Sequence, residues 1–272
     1  MGLISSLRDK KKMPLVMGIL NVTPDSFYAP SRKESVSSAL EAALAMEQNG
    51  ADIIDIGAES TRPGFAPVSA EEEMERIIPV IEEICKHTSI PISADTRKGS
   101  VAKAALDAGA RIVNDISAGT YDFSIIEIVK NYKCDIILMH SQEKAQYSDV
   151  VSEVRDYLVS RTETFKKAGV QADKITLDPG LGFGKDTEHN LDLMRQMEQL
   201  SALGYPVLIG CSRKRFVGAV TGSDVEDRLA GTLAVNAFAA AHGAAVLRVH
   251  DVRETSDMVK MLFALGDIAV RR

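Results

Sequence analysis

Residues 178–185, Asp-Pro-Gly-Leu-Gly-Phe-Gly-Lys, gather a carboxylate, an aromatic face and a cation in one short stretch. The apolar run 175–177 delivers Asp178, Pro179 stops the run, and Gly180, Gly182 and Gly184 let the backbone approach whatever Asp178 holds. Phe183 adds a flat apolar surface and Lys185 a positive charge, which suits a flat, polar-edged, anionic small molecule. A plain glycine-rich strand-to-helix turn has the same composition, and the stretch by itself supports the two readings evenly. Gly180 stands one residue too close to Gly184-Lys185 for GxxxxGK[ST], so this is not the phosphate loop of nucleotide hydrolases.

Other chemistry-bearing residues stand at matching places. Short β-branched runs at 15–20, 52–56, 91–94, 111–113, 135–139, 174–177, 206–209 and 245–249 end at or near Asn21, the 57–64 loop, Asp95, Asn114-Asp115, His140, Asp178, Ser212 and Arg248-His250. One Asp or Asn ending a strand is ordinary turn chemistry. Asn21, Asp95, Asn114, Asp178 and His250 together point to one shared face. Asp95, Asn114 and Asp178 offer acceptors to a ligand edge rich in N–H donors, such as a 2-aminopyrimidinone. The competing reading pairs them with Lys185, Lys214 or Arg97 as structural ion pairs, and spacing leaves both open. Ser212-Arg213-Lys214-Arg215 after the seventh run, with Arg248 and His250 after the eighth, fits an anion pocket between those loops. Three adjacent basic residues also suit a solvated face; their position favours the pocket. Arg62, between Thr61 and Pro63, adds a cation from the second loop.

The segments between the runs read as helices. Ser31–Glu34 and Ser69–Glu72 match the capping box, and Val36, Leu40, Ala43 and Leu44 share one helical face. Gly50, Gly109, Gly169, Gly204 and Gly243 each stand where a helix must stop before the next strand. Met194, Met197 and Leu200 form an apolar stripe that reads as packing, and the Ala-rich stretch 233–242 as a closely packed helix. Eight strand–helix units fit a closed (β/α)8 TIM barrel, an α/β fold in a single domain over 1–272, although an open doubly wound sheet shares the alternation. In either fold the strand C-terminal ends converge on one face. The net charge of −6 argues against bulk binding to nucleic acid or an anionic membrane. No apolar run approaches the ~20 residues that span a bilayer, and no signal-peptide pattern precedes the first strand. The Met1-Gly2 opening with Ser6 fits a loose myristoylation pattern that lacks a second anchor and reads as chance. Cys85, Cys134 and Cys211 lack metal or disulfide spacing, as expected of free thiols in a cytoplasm.

The motifs resemble those of the dihydropteroate synthase family. Residues 17–27 (Met-Gly-Ile-Leu-Asn-Val-Thr-Pro-Asp-Ser-Phe) are similar to its opening signature. Ser60–Gly64, Asp95-Thr96, Asn114–Ile116, the 178–185 loop, Ser212–Lys214 and Arg248–Asp251 follow in the family's order, from about Leu15 to the last helix. The resemblance implies a (β/α)8 barrel that condenses 6-hydroxymethyl-7,8-dihydropterin pyrophosphate with p-aminobenzoate. The products would be 7,8-dihydropteroate and pyrophosphate, in folate synthesis. It further implies that Asp95, Asn114 and Asp178 hold the pterin with Lys214 on its carbonyl side, and that Met139, Ile116 and Phe183 flank the ring. Asn21 would ligate Mg2+, and Arg62, Arg248 and His250 would contact the pyrophosphate. Thr61, Pro63, Phe183, Ser212 and Lys214 would border the p-aminobenzoate pocket, which sulfonamides occupy in the family. A cytoplasmic homodimer joined through the late helices completes the implied picture.

Three places depart from the family pattern. Tyr28-Ala29-Pro30-Ser31 replaces the commoner Ser-Asp-Gly-Gly, Ser141–Lys144 replaces Met-x-Gly-x-Pro, and Arg215 stands where some members carry a serine facing the p-aminobenzoate carboxylate. Two rival readings accompany the resemblance: a methyltetrahydrofolate-dependent methyltransferase with a corrinoid partner, and a pterin-binding protein without catalysis. The Ser-Arg-Lys and Arg-Val-His motifs argue against the first, since methyl transfer has no pyrophosphate to clamp.

Overall fold

The computed structural model of the chain describes residues 1–22, 32–59 and 68–266. Eight parallel strands, β1 (Leu15–Asn21), β2 (Ile53–Gly57), β3 (Ile92–Asp95), β4 (Ile112–Asp115), β5 (Asp135–Met139), β6 (Ile175–Asp178), β7 (Leu208–Ile209) and β8 (Val246–Val249), run in the order β6-β5-β4-β3-β2-β1-β8-β7. A parallel bridge between Leu177 and Val207, with the Leu177 N–H on the Pro206 carbonyl at 2.9 Å, brings the two edge strands together. The ring therefore closes into the barrel, and the open-sheet alternative is gone. The strands fall within a residue or two of the runs read from sequence. The seventh is shortest, because only Leu208 and Ile209 pair with β8.

The helices are α1 (Leu3–Lys11), α2 (Arg32–Gln48), α3 (Ala70–His87), α4 (Gly99–Asp107), α5 (Ser124–Tyr132) and α6 (Val150–Ala168). They continue as α7 (Thr187–Arg195), α8 (Met197–Ser201), α9 (Arg215–Thr221), α10 (Leu229–Ala241) and α11 (Val252–Leu265). The five glycines read as helix stops all adopt positive φ, from 80° at Gly204 to 115° at Gly109. Ser69 caps α3 by accepting the Glu72 N–H at 3.1 Å, but only half of the expected box forms, because the Glu72 carboxylate bonds Arg76 instead. The matching box at Ser31 lies outside the described residues. Met194, Met197 and Leu200 are core residues, as the stripe implied.

Alternation along each strand builds two cores. Outward residues such as Val16, Ile54, Val113, Leu138, Ile209 and Leu247 pack under the helices in one continuous cluster. Inward residues Leu15, Met17, Ile53, Ile112, Ile137, Leu208 and Val246 fill the barrel, joined from below by Ile4 of α1. Helix α1 was not foreseen: its short apolar face has no meaning until a barrel mouth exists to receive it. Asp135 accepts the N–H groups of Leu3 at 3.0 Å and Ile4 at 2.9 Å, capping α1 from across the barrel, while Asp52 binds Lys11 and accepts the Val16 N–H at 2.8 Å. Gly2 is buried against the Asp173 carbonyl, where a Cβ would approach to 2.0 Å.

Candidate active site

Two residues beyond the apolar plug, the inward positions change character. Ile53 is followed by Asp55, Ile112 by Asn114, Ile137 by Met139, Leu208 by Gly210 and Val246 by Arg248. Asp95 on β3 pairs laterally with Asn114, and Asp178 on β6 with Met139. The sequence-predicted residues Asp95, Asn114, Met139, Asp178 and Arg248 thus share the C-terminal mouth.

Arg248 organises this layer. Its Nε donates to Asp55 at 2.6 Å and an Nη donates to Asp95 at 2.6 Å. Asn114 donates its amide N–H to the same Asp55 oxygen at 3.0 Å, which fixes the amide so that its carbonyl oxygen remains as the free acceptor. Asp55 is fully buried, its second oxygen has no partner among the described residues, and the sequence reading missed it. The signal was available in outline: a charged residue inside an otherwise apolar run, 53–56, is costly unless something pairs with it. Burial lowers Arg248, but Asp55 and then Asp95 more than reverse this, so its guanidinium stays charged. Burial pushes Asp95 up to about 7, with Asp55 adding to the rise against the pull of Arg248. Asp55 and Asp95 therefore share the one guanidinium of Arg248, while Asp178 feels Lys214, Arg248 and, more weakly, Lys185, and ring N–H donors would meet the acceptor oxygens left over.

The 178–185 loop arches over this layer. Asp178 accepts the Gly180 N–H at 2.7 Å, and burial raises its carboxyl while Lys214 pulls it back. Gly180 has φ 67°, and a Cβ there would reach 1.9 Å from the His140 carbonyl, so both conformation and contact demand glycine. Lys185 is not offered to a ligand. It is buried, donating to the Gly180 carbonyl at 3.1 Å and the Phe183 carbonyl at 3.0 Å, with Nδ1 of His140 at 2.9 Å. Three donors meet three acceptors, and the loop is tied to the tip of β5. Burial and the Lys185 charge push His140 down to about 4, which leaves its ring neutral to accept that bond.

Lys214 donates to the Leu181 carbonyl and lies over the Phe183 ring, 4.6 Å from its centroid. Burial lowers it to about 8 despite the pull of Asp178. Phe183 and Ile116 are half-buried. Ser212 and His250 meet with Oγ and Nδ1 3.0 Å apart, and the His250 N–H donates to Ser212 Oγ at 3.2 Å. Arg213 turns away into a two-pronged pair with Asp251, at 3.0 and 2.6 Å. Arg215 is exposed at the start of α9, and Asn21 is exposed at the end of β1.

The structural-pair reading of the acids is partly realised, through other residues than expected. Arg97 pairs with Glu59 at 2.9 Å and stacks 4.2 Å from the Tyr121 ring centroid, leaving Arg248 to serve Asp95. Lys98 bridges Glu59 and the buried Glu73. Thr61, Arg62 and Pro63, together with the altered stretch 28–31, lie outside the described residues.

A closed barrel whose C-terminal strand tips gather Asp55, Asp95, Asn114, Asp178 and Arg248 defines a class: the chain belongs to the family described as pterin binding enzyme, whose profile matches residues 17–250. Dihydropteroate synthase of Bacillus subtilis is 45% identical over 255 residues, 94% of this chain and 90% of that one. Among solved structures, dihydropteroate synthase of Xanthomonas albilineans with 4-aminobenzoic acid superposes with a TM-score of 0.89 at 43% identity, covering 93% of each chain. The same enzyme in complex with 7,8-dihydropteroate gives 0.86 at 41% identity over 93% of this chain and 94% of that one. Within the family the chain takes its place among the dihydropteroate synthases, transferases of folate biosynthesis.

Proposed function

We propose that the layer at Asp55, Asp95, Asn114, Asp178 and Arg248 holds the pterin of 6-hydroxymethyl-7,8-dihydropterin pyrophosphate, and that p-aminobenzoate enters beside Phe183, Ser212 and Lys214. The observation that carries this is the Arg248–Asp55–Asn114 linkage, which leaves the Asn114 carbonyl oxygen as an acceptor among carboxylates at the C-terminal mouth. A ring with an amino group and N–H edges supplies the missing donors, Lys214 meets its carbonyl, and Met139, Ile116 and Phe183 cover its faces.

In the reaction the bond between the pterin methylene carbon and the pyrophosphate oxygen breaks, and the electron pair leaves with pyrophosphate. Positive charge spreads into the ring, where the neighbouring carboxylates Asp95 and Asp178 stabilise it. The neutral amine of p-aminobenzoate then attacks the methylene carbon and loses a proton to solvent, so no strong general base is needed. Arg248 and His250 receive the departing anion in this reading, with Arg62 added as the family resemblance implies.

Asn21 presents a neutral oxygen donor of the hard type that Mg2+ takes, and no trio of His, Cys, Asp or Glu forms a cage among the described residues. Asn21 would hold the ion, and Mg2+ there would supply positive charge that stabilises the leaving group. Exposed Phe238, Met261, Phe263 and Leu265 on α10 and α11 support a homodimer through the late helices. Among the described residues no helix is long and apolar enough to cross a membrane; the reading of a single-domain cytoplasmic enzyme comes from the family resemblance. Incubation with both substrates and millimolar Mg2+ should release pyrophosphate in step with 7,8-dihydropteroate. Pterin binding without release would reduce the chain to a binding protein.

A further inference from the structure

Eighteen of the glycines are described, and all but one have an evident reason to lack a side chain. Eleven adopt positive φ. At Gly2, Gly18, Gly57, Gly99, Gly218 and Gly231 an added Cβ would come within 3.1 Å of a neighbour. Gly210 has neither excuse: its φ lies outside the left-handed region, and a Cβ there would meet only the Arg248 Cβ, at 4.0 Å. Its backbone is nonetheless buried, so the gap lies inside the barrel mouth rather than in open solvent. The register fixes which way the missing side chain would point. Leu208 pairs with Val246 and both belong to the inward plug, so Gly210, two residues on, stands beside Arg248 on the inward face. The neighbouring inward positions carry the hydrogen-bonding residues of the layer; this one carries nothing.

We infer that Gly210 is a specificity-determining position, its absent side chain being the space that the bicyclic ring fills next to Arg248. The inference rests on the pterin pocket proposed above. An added methyl or isopropyl group meets little of the protein, and a β-branched residue suits the extended segment it would occupy. It would instead overlap the ligand, a cost that falls on binding and not on folding.

The test compares wild type, Gly210→Ala, Gly210→Val and Asp178→Asn by calorimetric titration with 6-hydroxymethyl-7,8-dihydropterin, together with thermal unfolding. Gly210→Val should weaken binding at least ~10-fold and Gly210→Ala by roughly 3-fold, the scale of overfilling a packed site, with the melting temperature of each unchanged. A folded Gly210→Val protein that binds like wild type overturns the inference. So does a drop in Tm beyond about 5 °C for either glycine variant, because the fold itself would then need the glycine. Loss of affinity in Asp178→Asn alone leaves the pocket reading standing and removes only the role of Gly210. Unchanged affinity in Asp178→Asn removes the pocket reading, and this inference with it.

Discussion

The two mouths of the barrel use the same residue types to opposite ends. At the N-terminal mouth Asp52 and Asp135 are met by the chain itself: Lys11, Lys174 and backbone N–H groups of α1 and β1 occupy them, and Ile4 plugs the opening. At the C-terminal mouth Asp55 and Asp95 share the single guanidinium of Arg248, and one oxygen of the buried Asp55 has no partner among the described residues. The first arrangement is closed and contributes stability. The second leaves an acceptor over, which in the proposed reading the pterin completes. An aspartate at a strand end therefore says little about function; whether its hydrogen-bonding capacity is used up says more.

The sharpest way to break this contrast is to remove the hub. Arg248→Ala leaves the buried Asp55 and the half-buried Asp95 without their shared cation, and breaking a buried pair costs ~3–5 kcal/mol. We expect kcat/KM to fall at least ~100-fold, measured as pyrophosphate release, and a near-wild-type value would show that the layer does not act as a unit. Lys214→Ala removes one charge-assisted contact worth ~1.5–3 kcal/mol, so kcat/KM should fall at least ~10-fold. Unchanged kinetics would move this lysine out of the site.

The acidity of the open mouth gives a smaller, continuous effect. The proposed reading requires Asp95 ionised and Lys214 charged for pterin binding. As pH rises through about 7 Asp95 loses its proton and kcat/KM should climb. As pH rises past about 8 Lys214 loses its charge and the rate constant should fall. The profile should be a narrow bell between those values; a flat profile from about pH 6 to 9 contradicts the assignment.

The closed mouth supplies the control. Asp135→Ala strips two backbone N–H groups of their partner and should lower stability by ~1–3 kcal/mol in urea unfolding. Its kcat/KM should remain within about 2-fold of wild type, since effects at separated sites add independently. A large catalytic defect there would mean that the two mouths are coupled through the barrel.

Much of this architecture was legible before coordinates. The eight short apolar runs, the glycines that end helices and the polar residues at strand tips follow from local rules of propensity and periodicity, and each stands close to its expected place. What escaped were features defined by contact across the barrel. Helix α1 has a function only against a mouth formed by strands far along the chain. Asp55 hides inside an apolar run, and the partners that explain it, Asn114 and Arg248, are 59 and 193 residues away in sequence. Lys185 looked like a ligand-facing cation because the carbonyls that take its protons are backbone groups, which no sequence displays as acceptors.

By itself, then, the sequence determined the alternation of strand and helix, the family motifs and most of the polar groups that gather at the strand tips. Backbone conformation and hydrophobic periodicity are local properties, written within a few residues of where they act. Only the tertiary structure decided which charges neutralise one another, which amide edge faces the recess, and that Gly210 borders a space. Those outcomes depend on which atoms meet when the ring of strands closes, and on how much water each meeting excludes.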